Sequence, residues 1–98
     1  MINMLLDDVF HKIADEKNES IELLCEFLKI PSIAAKGTGE QKSIDFLSRV
    51  FEDAGFDFFT AETPGNRVFC AEMNVGADKT LMFYNHYDVQ PEDPIDLW

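Results

Sequence analysis

Apolar residues in the first third of the chain recur at the spacing of two amphipathic helices. One stripe contains Leu5, Leu6, Val9, Phe10 and Ile13, and a second contains Ile21, Leu24, Cys25 and Leu28. Because 3.6 residues make one helical turn, each stripe occupies one face, and the first predicts a helix over residues 3–16. The second helix ends before Pro31, whose ring disfavours helical geometry at the preceding residue. The polar segment between them predicts either a break or a bend.

A third helix is predicted after the glycine-bearing loop "AAKGTGEQ". Thr38 and Gln41 have the spacing of a capping box, in which two side chains satisfy free N–H groups at the start of a helix. The helix then runs to Ala54, and Gly55 suits the left-handed position that ends it. Its predicted inward face contains Ile44, Leu47, Val50, Phe51 and Ala54.

After Gly55 the pattern changes from helical to extended. Three segments rich in aromatic and β-favouring residues, "FDFFTAET", "RVFCAEMNV" and "TLMFYN", are separated by the turn signals "PGN" and "GADK". These connections are too short for parallel crossovers, so neighbouring strands should be antiparallel. The last segment is apolar on both faces, which predicts a central strand covered by helices. The fold class is therefore α/β, although a compact α+β domain with its helices on one face fits as well.

Charge narrows the classes of partner. The 98 residues carry a formal net charge of −11, with dispersed acidic residues and no long basic cluster. Nucleic acid and anionic membrane surfaces would be repelled by such a chain. We therefore expect one small soluble domain with no nucleic-acid and no membrane partner.

The two cysteines and the N-terminus indicate a reducing compartment. Cys25 and Cys70 lie far apart and show neither the spacing of a zinc ribbon nor that of a redox pair. The N-terminus lacks a basic region, and Asp7 and Asp8 interrupt its apolar run, so it does not have the form of a signal peptide. No segment has the length of a membrane span. These features predict a cytoplasmic protein.

The candidate chemistry lies in "YNHYDVQP", residues 84–91. Alternation along a strand places His86 and Asp88 on one side and Tyr87 on the other. A metal-bound imidazole usually donates its second ring N–H to a carboxylate, and this triplet supplies such a pair locally. A histidine hydrogen-bonded at a strand end, without metal, is the alternative.

The other candidate ligands are weaker. Glu92, Asp93 and Asp96 follow no recognisable ligand spacing and are expected to be solvated acids. His11 lies off the apolar stripe of the first helix and is expected on the surface.

Three segments resemble one family when taken together. An apolar strand entering "YNHYDVQP" and followed by "DPIDLW" is similar to the first metal-ligand motif of the dinuclear zinc peptidases and deacylases. This family includes carnosine dipeptidase, aminoacylase, acetylornithine deacetylase and succinyl-diaminopimelate desuccinylase. "IELLCEFLKIPSIA" is similar to its N-terminal helix, and "AGFDFFTAETPGNRVFCAEM" is similar to its following hairpin. Gln90 and Pro91 favour the dipeptidase branch, whereas Asn85 departs from the usual glycine.

The resemblance implies a zinc-dependent amide hydrolase acting on small peptides or N-acyl amino acids. His86 would be a zinc ligand, and Asp88 would be the catalytic carboxylate that orients it. Two zinc ions would activate a water molecule, with a glutamate as general base. That glutamate and the remaining ligands follow this motif in family members, so no residue of this chain is assigned to them.

The resemblance also implies an incomplete domain. Residues 1–98 would be the N-terminal fragment of a larger helix/sheet/helix catalytic domain, contributing helices and three strands of its mixed sheet. Such a fragment should be inactive alone and should form a homo-oligomer through exposed sheet surface. A free-standing binding or oligomerisation module on the same scaffold is one alternative. A plain acidic α+β domain with an accidental H-x-D triplet is another.

Overall fold

Three helices are followed by a β-hairpin and a long irregular segment. The computed structural model describes residues 2–97, with side-chain surroundings from residue 5 onward. The helices are α1 (Ile2–Asp15), α2 (Lys17–Leu28) and α3 (Glu40–Asp53), and the strands are β1 (Asp57–Ala61) and β2 (Val68–Glu72). Short 3-10 turns span Ala34–Lys36 and Ile95–Leu97. This order confirms the predicted α/β sequence of elements as far as β2.

The junction between α1 and α2 is a bend. Only Glu16 departs from helical assignment, with φ −94° and ψ 7°. Its N–H donates to the Lys12 carbonyl and its carbonyl accepts from Ser20 N–H, both at 2.9 Å. Hydrogen bonding therefore continues through the polar segment. The predicted apolar stripes remain largely exposed, including Leu5, Phe10 and Leu28.

The first turn of α3 differs from its prediction. Gly39 is the N-cap, with φ 81°, and no side chain caps the helix. The Thr38 hydroxyl instead donates to the Pro31 carbonyl at 3.0 Å, and the Gln41 amide donates to Asp45 at 2.8 Å. The predicted capping box is therefore wrong, because Thr38 is used to fasten the preceding turn. At the other end, Gly55 adopts φ 84° directly after the C-cap Ala54, as predicted.

The hairpin packs against α3 through aromatic side chains. β1 and β2 pair antiparallel from Asp57 opposite Glu72 to Ala61 opposite Val68, which confirms the predicted pairing. The Phe69 ring lies 5.6 Å from both Phe51 of α3 and Phe58 of β1, measured between centroids. These contacts fix the hairpin on the helix.

The predicted third strand is wrong for the part of the chain that the structure describes. Residues 80–85 pair with no strand, and their apolar side chains are exposed: Leu81 79%, Met82 82%, Phe83 77% and Tyr84 80%. The pattern predicted burial on both faces, but residues 2–97 supply neither a hydrogen-bonding neighbour nor covering helices. The segment instead forms one wall of a groove of about 430 Å³ whose other wall includes β2.

The best-buried residues lie where the "IPS" turn, which begins at residues 30–32, meets α3. Ile33 and Ile44 are the buried apolar residues of the described chain, beside buried Ser32 and Ser43. An isolated antiparallel bridge joins Ile33 to Thr38 and closes the turn. No helix in residues 2–97 combines the length and the apolar character needed to cross a membrane.

Candidate functional site

His86 and Asp88 form a hydrogen-bonded pair, as their spacing predicted. Their Nδ1 and Oδ1 atoms are 3.1 Å apart. The imidazole side chain is 72% exposed, whereas the carboxylate side chain is 31% exposed. An ionised carboxylate can only accept, so in a neutral imidazole this contact places the proton on Nδ1 and leaves the lone pair on Nε2. The neutral imidazole of this exposed side chain therefore has an unprotonated Nε2, the form in which histidine ligates metals.

The pair lies along one wall of the groove, next to Tyr84 and Tyr87. The rings of Tyr84 and His86 meet edge to face with centroids 5.9 Å apart. Tyr87 contacts the body of the protein, where its hydroxyl donates to the Arg67 carbonyl at 2.6 Å. The predicted proximity of alternate residues is confirmed for Tyr84, His86 and Asp88, although no strand forms. The opposite wall of the groove is formed by Val68, Phe69 and Cys70 of β2.

Two hydrogen bonds connect residues 86–89, called the H-x-D segment below, to distant parts of the chain. One is the bond from Tyr87 to the Arg67 carbonyl, and the other joins Val89 N–H to the Ser32 carbonyl at 2.8 Å. They flank Asp88 on either side. The Asp88 carboxylate therefore lies between two residues that are bonded to the segment directly before β2 and to the "IPS" turn.

Arg67 is in turn fixed by the first turn of α3. Its Nε donates to Glu40 Oε1, and its Nη2 donates to Gln41 Oε1 at 2.7 Å. The hydrogen bond from Arg67 lowers the pKa of Glu40, and the same bond raises the pKa of Arg67. Burial raises the pKa of Tyr87. The phenol is protonated at neutral pH even without this shift, so it can donate to the Arg67 carbonyl.

The described residues do not by themselves form a metal site. Nowhere in residues 2–97 do three His, Cys, Asp or Glu side chains come together as metal ligands. Glu92, predicted to be a solvated acid, is 3.4 Å from the Lys36 ammonium. His11 lies exposed on α1, away from the groove, and Asp93 and Asp96 are exposed. Zinc needs three or four protein ligands, so His86 with Asp88 fits one corner of such a site.

Two features of the site were missed from the sequence. Tyr87 was placed on the opposite face, but its partner Arg67 lies twenty residues away and no local pattern indicates it. The role of Ser32 depends on a backbone carbonyl, which carries no sequence signal. Asn85, which departs from the glycine usual at this position, lines the groove beside His86.

Comparisons with known proteins agree with the resemblance seen in the sequence. The chain is 29% identical over 111 residues to the Cys-Gly metallodipeptidase dug1 of Schizosaccharomyces pombe, covering 99% of this chain and 23% of that protein. The structure is similar to the crystal structure of Sso-CP2, an M20 family metallo-carboxypeptidase from Sulfolobus solfataricus, with a TM-score of 0.75 and 47% identity. That match covers 82% of this chain and 18% of the carboxypeptidase. No family model matches the chain. The chain thus spans about a fifth to a quarter of the length of these two relatives.

Proposed function

We propose that this chain, which belongs with the N-terminal part of the M20 metallopeptidases, supplies one ligand and its orienting carboxylate to the zinc centre of an amide hydrolase. The observation that carries the proposal is the His86–Asp88 pair. Its 3.1 Å contact favours the neutral tautomer with the proton on Nδ1, and the largely exposed imidazole lines a groove. Imidazole is a common zinc ligand, and a carboxylate on its second nitrogen raises its basicity.

His86 and Asp88 have different roles in this proposal. His86 offers the Nε2 lone pair, while Asp88 accepts the Nδ1 proton and holds the ring in one orientation. When bound, zinc would lower the pKa of a water molecule and polarise the scissile carbonyl. Further ligands and a general base are required, since the described residues bring together no three ligands. A chain of these residues alone is therefore expected to be inactive.

The substrate class proposed is a dipeptide or another small amide, including N-acyl amino acids. Support comes from the two relatives, which are named as a Cys-Gly dipeptidase and a carboxypeptidase. Both names describe proteins that cleave peptide bonds. The form of the motif, with Gln90 and Pro91 after the H-x-D triplet, favours the dipeptidase within this class.

The test compares two histidine variants of the protein as its gene encodes it. Zinc binding and hydrolysis of Cys-Gly and N-acetylated amino acids are measured for His86→Ala and for the control His11→Ala. His86→Ala should reduce both by at least about 100-fold, the upper end of what loss of an outer-shell partner costs. His11 is exposed on α1, so its variant should retain both. Equal behaviour of the two variants would reject the proposal.

A second candidate function is an oligomerising binding module. The exposed apolar residues 81–84 support it, because exposed apolar patches often mark sites of protein association. Replacing Leu81 and Phe83 by serine should then abolish self-association in sedimentation experiments and leave zinc binding unchanged. Monomeric wild-type protein at high concentration would exclude this function.

A further inference from the structure

Tyr87 is the residue at which the exposed segment after β2 contacts the rest of the protein again. Every residue from 72 to 86 is exposed, and Tyr87 is the first one that is half-buried again. Its hydroxyl makes the bond to the Arg67 carbonyl, at 2.6 Å, directly between His86 and Asp88 in sequence. The exposed segment is therefore fastened to the body of the protein at the residue between the proposed ligand and its orienting carboxylate.

His86 has little other support. Its side chain is largely exposed, and its neighbours are the Asp88 carboxylate and the edge of the Tyr84 ring. Tyr84 is itself 80% exposed, so it provides no rigid surface. The direction of the imidazole thus depends on the backbone around Tyr87. A metal ligand must be held within a fraction of an ångström of its productive position, so this backbone must be fixed.

The partner of Tyr87 is well suited to fix it. The accepting carbonyl belongs to Arg67, directly before β2, and the Arg67 side chain donates to both Glu40 and Gln41 on α3. A continuous series of contacts therefore runs from the first turn of α3 through Arg67 to Tyr87. The bond from Val89 N–H to Ser32 holds the segment on the far side of Asp88.

We propose that Tyr87 is a positioning residue of the metal site, whose hydroxyl holds the His86–Asp88 pair in the orientation that presents Nε2 to zinc. This inference rests on the proposed function, since it assumes that His86 binds the metal. The inference adds to the proposed function a residue, Tyr87, that touches neither metal nor substrate and acts through its neighbours His86 and Asp88.

The experiment removes one hydroxyl at a time. Tyr87→Phe keeps the ring and loses the bond to Arg67, whereas Tyr84→Phe removes the same group from an exposed ring whose hydroxyl has no partner among the described residues. Zinc affinity of the protein as its gene encodes it is measured by competition with a chromophoric chelator, and its Co²⁺-substituted form is examined by absorption spectroscopy. Tyr87→Phe should weaken zinc binding about 10-fold, the lower end of outer-shell effects, and alter the Co²⁺ spectrum. Tyr84→Phe should change neither.

Unfolding of the metal-free variants separates positioning from general stability. If Tyr87→Phe lowers the unfolding midpoint but the folded protein binds zinc as tightly as wild type, the hydroxyl is only structural and the inference is wrong. If Tyr87→Phe does not fold, Glu40→Gln serves as the second variant, because it loosens Arg67 without changing the segment. It should weaken zinc binding beyond the Tyr84→Phe control, and unchanged binding would overturn the inference.

His86→Ala distinguishes failure of this inference from failure of the proposed function. If His86→Ala abolishes zinc binding and Tyr87→Phe leaves it intact, only the role of Tyr87 is refuted. If His86→Ala leaves zinc binding intact, the proposed function fails and the role of Tyr87 fails with it.

Discussion

Replacing Gly39 by alanine should be among the most damaging small changes in this chain. Gly39 adopts φ 81°, a left-handed conformation that L-residues rarely occupy. A Cβ atom built there would lie 2.5 Å from the Pro31 carbonyl oxygen and 2.6 Å from the Ser32 Cα. These are backbone atoms, so no side chain can rotate away to relieve the contact.

The cost has two parts. The left-handed conformation alone costs a residue with a Cβ about 1–2 kcal/mol. Moving the "IPS" turn away from the new methyl group adds a penalty of the overpacking kind, about 1–3 kcal/mol. The sum of about 2–5 kcal/mol is a large part of the roughly 5–15 kcal/mol that stabilises a small domain. Because the Ser32 carbonyl accepts from Val89 N–H, the displacement should also reach the H-x-D segment and weaken zinc binding.

Gly37 provides a matched control two residues earlier. It has a similar φ of 66°, but a Cβ there would meet nothing within 4 Å. Gly37→Ala should therefore cost only the conformational part, about 1–2 kcal/mol, and leave zinc affinity unchanged. Urea unfolding of both variants measures the difference. If Gly39→Ala were no more destabilising than Gly37→Ala, the close packing of α3 on the "IPS" turn would be refuted.

Three further predictions concern the site and its supports. Asp88→Asn should weaken zinc binding about 10- to 100-fold in a chelator competition, because the amide cannot stabilise the imidazole as a carboxylate does. The control Asp93→Asn, at an exposed residue, should bind zinc as wild type does, and equal affinities of the two variants would contradict the orienting role of Asp88. Glu40 has a lowered pKa in the folded protein because of Arg67, so its stabilising effect is present above the pKa of the unfolded chain and is lost as pH falls through the folded pKa. The difference in urea midpoint between wild type and Glu40→Gln should therefore be largest at neutral pH and vanish in acid, and a constant difference would argue against the ion pair. Phe69→Ala should destabilise the fold by less than the about 3–5 kcal/mol that loss of a fully buried phenylalanine ring costs, because Phe69 is half-buried. Thermal unfolding measures the loss, and an unchanged midpoint would mean that the hairpin does not depend on its contact with α3.

Elements governed by nearby residues were predicted well from the sequence. The hairpin follows from two β-favouring segments around a short turn, and its antiparallel pairing is forced by the length of that turn. The end of α3 at Gly55 follows from the left-handed conformation that glycine permits. In each case the determining interactions lie within a few positions, where spacing and residue type describe them.

Elements that depend on distant partners were not predicted correctly. Residues 80–85 have the composition of a buried central strand, but a strand exists only with a hydrogen-bonding neighbour, and the described residues provide none. The start of α3 was also mispredicted because it depends on a partner outside the helix. Thr38 has the residue type and spacing of a cap, yet its hydroxyl bonds to Pro31, and the close approach of the turn requires Gly39 as N-cap.

The proposed site combines both kinds of interaction. That His86 and Asp88 touch follows from alternation over three residues and needs no knowledge of the fold. The orientation of the pair, in our proposal, depends on hydrogen bonds to the Arg67 and Ser32 carbonyls, which belong to segments far away in sequence. Ser32 lies in the "IPS" turn, so two of the segments that carried the resemblance are in direct contact through its carbonyl and Val89 N–H. Their joint presence therefore has a physical reason, because the turn holds the segment whose histidine we propose as a ligand.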